Sequence, residues 1–504
     1  MLDIIFCSLP YSNLDHICSA SAILQGVVKE RGYSSKTIDF GCELMKLCDN
    51  DPDIFYRVQT YFITTQHGLS ENEIVIITSF YQIVVNYIKN NPSKFIGFSI
   101  FSVYTHRAIF EILSLIQREN INTKIVIGGR GAKVPLWRDV VDIFSVMSDE
   151  TALSTAEILK KRNLIDYYII GDGEDAIISL LENSEIFSDT MVDSKSETFR
   201  TPMPDYSDYN FSDYLFGDGE VSLPITGSKG CVRDCDFCDV RHHFGRYRYR
   251  SGEDIANEMI GIANTHNIRK FQFTDSLVNG GLKPFEEFLE IVGNYNLTNP
   301  DQKIKWNGQY ICRPENQMPK RLYRLMAESG AEGLTIGAES GSNRVLAAMN
   351  KKTTVEALYH ELEQFREHHI TCYLLTFVGH WSETWEDFVE HCGMFIKITP
   401  YVKSGTISAV SLGRPMDIQS GTPLIENITK NNMELSNFNP SSIWKVTDNA
   451  SNTYKERVYR RLIVDKLLKA LKIPTVQNLE FFSMMQSLID THSDQINKFY
   501  ENGN

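Results

Sequence analysis

Along the first third of the chain, short apolar runs alternate with apolar residues spaced three and four apart. Ile4–Leu9, Lys36–Phe40, Phe95–Ile100, Lys124–Ile127 and Tyr167–Ile170 read as strands. Between them, Ile23, Leu24, Val27 and Val28 form one helical face, closed by Gly32, and Ile109, Ile112, Leu113 and Ile116 form another. This alternation predicts a doubly wound, Rossmann-like α/β domain over residues 1–185. Ligands of such sheets gather at the carboxyl ends of the strands. Residues 41–94 interrupt the pattern as a long, partly helical insertion. The polar, proline-punctuated stretch 186–220, which contains TPMPDYSDYNFSDY, predicts a linker laid over the surface.

A second alternation begins at about 221, with strands expected at 221–226, 270–273, 304–310, 332–337, 371–378 and 406–412. The helices between them carry end signals. Ser251 and Asp254 precede Ile255, Met259 and Ile262, and Thr353 and Glu356 precede Leu358, Leu362 and Phe365. Pro284 and Pro319 open two more helices, the second stopping near Gly330. Six βα units predict a partial parallel barrel over 221–424. Residues 425–504 read as mainly helical, with Val458, Leu462, Leu467 and Leu468 as packing positions and no evident chemistry.

Composition adds limits. With 504 residues, 42% hydrophobic and 23% charged, the chain is long enough for two or three soluble domains. A net charge of −14 argues against a nucleic-acid partner. The start MLDIIFCSLPYSN reads as a first strand rather than a signal peptide, and no apolar run approaches a membrane span. The expected location is the cytoplasm, where seven scattered cysteines of the ten would stay reduced in the core.

The other three cysteines are Cys231, Cys235 and Cys238, in GCVRDCDFCDVRHHFGRYRYR. Thiolates this close can ligate one metal centre. Zinc is one reading, with His242 or His243 completing a tetrahedron, in a zinc-stabilised binding protein. A four-iron cluster is the other, since three thiolates leave one iron open for a ligand. Cys-x3-Cys-x-aromatic-Cys, with Phe237 as the aromatic, resembles the signature of the radical S-adenosylmethionine (SAM) enzymes. That resemblance implies a 4Fe-4S cluster on Cys231, Cys235 and Cys238, with SAM on the open iron. It also implies reductive cleavage of SAM to methionine and a 5′-deoxyadenosyl radical. GAESGS at 337–342 is similar to the family segment that contacts the methionine or ribose part of SAM, which points to Glu339 and Ser340. VGHWSET at 378–384 resembles a Gly-x-Pro-x-Glu-Thr segment near the adenine, which points to Gly379, with Trp381 where proline is usual. Asp275 and Ser276 stand where the family often binds the amino group of SAM, and Arg313 closes the third strand at the same rim.

The N-terminal half resembles the cobalamin-binding domain of one subgroup of that superfamily. GFSIFS at 97–102, IGGRG at 127–131 and IIGDGEDA at 169–176 carry the likeness. It implies corrin and nucleotide-tail contacts at Ser99, Ser102, Gly128, Gly129, Gly171 and Glu174, where small residues admit a bulky ligand. Asp-x-His-x-x-Gly is absent after the first strand, where Asp15 and His16 are adjacent, so cobalamin is expected to bind without a histidine ligand. The subgroup implies methylation of an unactivated centre, with ring closure or rearrangement as the alternative. It further implies a small-molecule or peptide substrate, an electron donor such as flavodoxin or ferredoxin, and no membrane partner.

Overall fold

The computed structural model describes residues 1–10, 14–63, 69–100, 105–135, 153–185, 187–192, 196–214, 219–314, 317–449, 452–476 and 488–501. The chain divides into two compact units, Met1–Pro224 and Ile225–Asn504. Among the described residues no helix is long and apolar enough to cross a membrane.

The first unit is built on six parallel strands: β1 (Leu2–Ser8), β2 (Ser35–Asp39), β3 (Ser93–Ser99), β4 (Lys124–Gly128), β5 (Tyr167–Gly171) and β6 (Thr190–Val192), in the order β2-β1-β3-β4-β5-β6. The order reverses between β1 and β3, the topological switch point at which doubly wound sheets bind their ligands. One face of the sheet packs Ile4, Phe6, Phe95, Val126 and Ile169 against Val27, Val28, Ile177 and Leu180 of two helices. The stretch 41–94, legible in sequence only as partly helical, forms three helices that begin at Phe40, Pro52 and Glu71. The last opens on a capping box made by Ser70 and Glu73.

The stretch 186–220 is not a free linker. It supplies the edge strand β6, and beyond it Asp205 donates its backbone N–H to Ala22 at 2.9 Å. Asp208 accepts from Gln25 at 2.6 Å and from the Thr37 backbone at 3.0 Å. Tyr206 is buried, and the Tyr214 hydroxyl donates to Asp39 at 3.0 Å. Aromatic anchors bind this polar strap to the sheet.

The second unit starts at β7 (Ser222–Ile225), where the boundary falls. A short antiparallel pair follows, β8 (Ser228–Lys229) with β9 (Arg248–Tyr249). Parallel strands follow at β10 (Lys270–Phe273), β11 (Lys305–Asn307), β12 (Gln309–Tyr310), β13 (Leu334–Glu339), β14 (Cys372–Thr376) and β15 (Ile407–Leu412). The third expected barrel strand, 304–310, is thus broken at Gly308, with β11 pairing β10 and β12 pairing β13. A Cβ on Gly308 would lie 2.6 Å from Val278 and 2.9 Å from Phe273, so the break is packed closely on its neighbours.

The C-terminal part, expected to be mainly helical, also carries short strands. Two short strands form a hairpin, β16 (Met433–Leu435) with β17 (Trp444–Val446), and β18 (Thr475–Val476) extends the barrel sheet beside β15. Between them lies the helix Tyr454–Ala470, which buries Arg457, Arg460 and Arg461.

Candidate active site

The cysteine loop is closed at its base. β8 and β9 pair across it, Ser228 with Tyr249 and Lys229 with Arg248. Gly230 turns the chain at φ +77°, where an added Cβ would lie 2.7 Å from the Arg246 carbonyl. Five further hydrogen bonds hold the loop. Asp236 donates its N–H to Met349 at 3.0 Å and accepts from Leu424 N–H at 2.9 Å. Asn350 donates to the Asp234 carbonyl at 2.8 Å. The Asp236 carboxylate accepts from His380 Nε2 at 3.1 Å and Trp381 Nε1 at 2.8 Å.

Burial raises all three thiols, Cys235 to about 12, so each needs a cation or metal to ionise near neutrality. Lys351 supplies a cation. Its Nζ lies 2.6 Å from Glu339 Oε1 and 5.9 Å from the Phe237 ring centroid. Burial works against the Lys351 charge, but Glu339 and the Cys235 thiol outweigh it and hold its pKa above the usual lysine value. Phe237 also packs edge-on against Phe377, 5.2 Å between centroids.

Neither histidine joins the thiols. His243 Nε2 pairs with Asp239 at 3.1 Å, and His242 packs against Gly421. Among the described residues no three His, Cys, Asp or Glu side chains converge tightly enough for a single ion. Among the described residues no preformed Cys3His set is therefore present. The donor set on the loop is three thiols, which suits a cluster whose irons take one thiolate each.

The other predicted residues fall at the same strand ends. Glu339 closes β13 with φ +57°, at a register shift between Gly337 and Glu339. Left-handed backbone at a residue other than glycine is a strained feature typical of functional sites. A Cβ on Gly337 would crowd Glu339 Oε1 and lie 2.8 Å from Lys351 Nζ, so the bare backbone leaves room for this pair. Ser340 is buried and accepts from Ser342 N–H at 3.2 Å. Gly379 has φ +82° and lies on the Arg457 side chain, and its N–H donates to Glu383 at 3.1 Å. Arg313 donates to the carbonyls of Asn279 and Gly280 at 2.7 and 2.8 Å, and burial together with Arg233 lowers its pKa. Asp275 is turned inward: its oxygens accept from Gly227 N–H at 2.8 Å and Ser228 Oγ at 2.6 Å, and burial pushes its pKa up to about 7. Ser276 is half-buried beside it.

In the first unit, Ser99 and Gly128 are partners at the ends of β3 and β4. Gly129 has φ +98°, and a Cβ there would lie 2.5 Å from the Ile100 carbonyl. Gly171 ends β5 at φ +103°, and Glu174 starts the next helix. Ser102 lies outside the described residues. His16 is half exposed and pairs with Asp15 at 2.6 Å. Ser99, Gly128, Gly129 and Gly171 are small, so at these strand ends the backbone itself can approach a broad ligand.

Sequence reasoning missed four contributors: Lys351, Asp236, His380 and the C-terminal arginines. Arg460 pairs with Glu383 at 2.8 Å, with both side chains almost fully buried. Arg461 donates to the carbonyls of Gly413 and Leu412 at 3.0 and 3.3 Å. Arg457 lies 3.5 Å over the Trp444 ring and donates to Asn452 and Ser442 carbonyls at 2.7 and 2.8 Å. The region expected to hold no chemistry thus braces the ends of β14 and β15. Trp444 and Trp381 were the available signals, since indoles seek buried partners for their N–H.

Residues 225–395 match the model of the radical SAM superfamily. Over 176 residues the chain is 27% identical to a cytidylyl-2-hydroxyethylphosphonate methyltransferase of Streptomyces wedmorensis, covering 33% of this chain and 31% of that protein. Over 254 residues it is 25% identical to an anaerobic magnesium-protoporphyrin IX monomethyl ester cyclase of Synechocystis sp., covering 46% of this chain and 49% of that one. The chain therefore matches only 31% to 49% of the length of these relatives. Among solved structures, OxsB, a cobalamin-dependent S-adenosylmethionine radical enzyme with aqua-cobalamin bound, aligns with a TM-score of 0.62 and 15% identity over 99% of this chain and 72% of its own. The radical SAM methyltransferase TsrM from Kitasatospora setae, with cobalamin and a 4Fe-4S cluster bound, aligns with a TM-score of 0.59 and 15% identity over 91% of this chain and 81% of its own. Residues 225–395 are thus a radical SAM domain by their match to the superfamily model, and the chain as a whole, with its doubly wound α/β unit, shares the fold of OxsB and TsrM.

Proposed function

We propose that the protein is a radical SAM enzyme in which Cys231, Cys235 and Cys238 hold a 4Fe-4S cluster and a cobalamin in the first unit serves methyl transfer to an unactivated centre. The observation that carries this reading is the pre-tethered loop of three thiols beside the buried Lys351–Glu339 pair. When bound and reduced, the cluster supplies the electron that breaks the sulfonium of SAM and releases the 5′-deoxyadenosyl radical. The chain's own groups do the rest. Lys351 offsets the negative charge of the thiolates. Arg313, Glu339, Ser340, Ser276 and Gly379 line the rim where SAM would be oriented. Ser99, Gly128, Gly129, Gly171 and Glu174 would hold the corrin without a cobalt ligand. In this division residues 1–185 serve the cobalamin and 221–424 the cluster, while 425–504 buttress the barrel rim.

Ring closure or rearrangement without methyl transfer is the second reading, favoured by the likeness to the cyclase. The substrate is a small molecule or peptide, the electron donor a flavodoxin or ferredoxin, and the setting the cytoplasm, in keeping with free thiols at all ten cysteines. Anaerobic reconstitution is the test. A brown protein with about four irons that cleaves SAM under strong reductant supports the reading. A colourless protein with one zinc overturns it. Retention of a corrin spectrum after incubation with hydroxocobalamin and desalting supports the cobalamin role, and its complete loss removes that role.

A further inference from the structure

One of the two residues between the second and third cysteines, Asp236, has an unusual environment. Asp236 is one residue from Cys235 and two from Cys238, so its carboxylate travels with the loop that carries the thiols. Two donors from the loop after β14 hold it: His380 Nε2, at 3.1 and 3.2 Å from the two oxygens, and Trp381 Nε1, at 2.8 Å. His380 is fully buried, and its other nitrogen is held by Ser382 Oγ at 2.9 Å. The imidazole therefore has no freedom to turn away. The backbone behind these donors is fixed in turn. Asn452 donates to the carbonyls of His380 and Trp381 at 2.8 and 3.3 Å, and Glu383, next in the loop, is paired with Arg460. A chain of direct contacts thus runs from the C-terminal region to the middle of the cysteine loop.

We infer that Asp236 is a positioning residue for the cluster, and that His380 and Trp381 act through it to set the cluster's geometry and reduction potential. This rests on the reading that the three thiols hold a cluster. The physical argument has two parts. Hydrogen bonds to an ionised acceptor are shorter and stronger than neutral ones, so two of them fix the loop more firmly than backbone contacts alone. A carboxylate carried beside a cluster adds negative charge, and charge and hydrogen bonding near the sulfurs are recognised determinants of cluster potential. The two donors partly offset that charge. Trp381, standing where the family pattern has proline, supplies an N–H that proline lacks.

The test uses the reconstituted full-length protein and reads the cluster rather than turnover. The variants are Trp381→Phe, which keeps an aromatic ring and removes the N–H, and Asp236→Asn, which removes the charge. Redox titration followed by electron paramagnetic resonance should show W381F shifted to more negative potential and D236N to more positive potential, with altered g values in both. Release of iron to a chelator should be at least fivefold faster in W381F than in the unsubstituted protein. If D236N fails to take up iron, W381F decides alone. A loaded W381F with unchanged potential, spectrum and iron release overturns the inference while leaving the proposed function standing. An unsubstituted protein that binds no iron–sulfur cluster defeats the proposed function itself.

Discussion

The protein places two candidate ligand sites at the carboxyl ends of parallel strands, and builds them by opposite means. At the barrel strand ends the site is made of polar groups already partnered: Lys351 with Glu339, Arg460 with Glu383, and Asp236 with His380 and Trp381. At the strand ends of the N-terminal sheet the predicted residues are mostly glycine and serine, with two glycines at positive φ. A group that carries charge and changes it during reaction needs oriented partners fixed beforehand. A broad, flat ligand needs backbone that can come close. The contrast accords with a cluster in one unit and a corrin in the other.

The strongest way to break the comparison is Cys238→Ala. Its expected effect is loss of cluster iron and a fall in SAM cleavage to background, with corrin retention by the first unit unchanged. Iron content and the visible spectrum of the cobalamin-loaded protein check it. Loss of both cofactors together would mean that the two sites are not separately built. Next in size is Arg460→Met, which leaves Glu383 buried without its partner. Removing one member of a buried ion pair costs about 3–5 kcal/mol. Thermal unfolding should show a lower midpoint for the barrel unit, and adding Glu383→Gln should restore most of it.

The parts of this arrangement that were legible in sequence are those encoded locally. The three cysteines, the aromatic Phe237 and the strands of both sheets lie in short windows where periodicity and spacing suffice. The parts that were hidden are tertiary. Lys351 meets Glu339 from the far side of an intervening helix, and the donors to Asp236 stand more than a hundred residues away in the chain. The arginines at 457, 460 and 461 resemble a solvated helix face in sequence, yet they are buried because carbonyls, Glu383 and Trp444 receive them. The strap over 196–214 was hidden by its polar composition, although Tyr206 and Tyr214 anchor it. Burial of polar residues follows the partners available, which composition does not reveal.

On the N-terminal side the sharper test is Gly129→Val. The new Cβ would lie 2.5 Å from the Ile100 carbonyl, at a φ that a β-branched residue strongly disfavours. The expected outcome is at least a tenfold loss in corrin affinity, measured by spectral titration, with iron content and SAM cleavage unchanged. A loss of iron as well would show that the glycine supports more than its own strand end.

The smallest effect concerns Asp275, a predicted contact of SAM both of whose carboxylate oxygens are taken by the protein itself. Burial raises its pKa to about 7, against about 3.9 for an unperturbed aspartate. A carboxyl whose folded pKa is raised favours the folded state below its unfolded pKa, and that contribution is lost as pH rises through the folded pKa. The barrel unit should therefore lose stability between about pH 4 and 7, by at most on the order of 4 kcal/mol from this group. Asp275→Asn imitates the protonated acid: its carbonyl can accept from Gly227 N–H while its amide donates to Ser228 Oγ. Its unfolding midpoint should be flatter with pH than that of the unsubstituted protein, and higher at pH 7.5. An identical pH profile would mean that Asp275 is ionised throughout, in which case its charge faces a cation and the residue returns as a contact for the amino group of SAM.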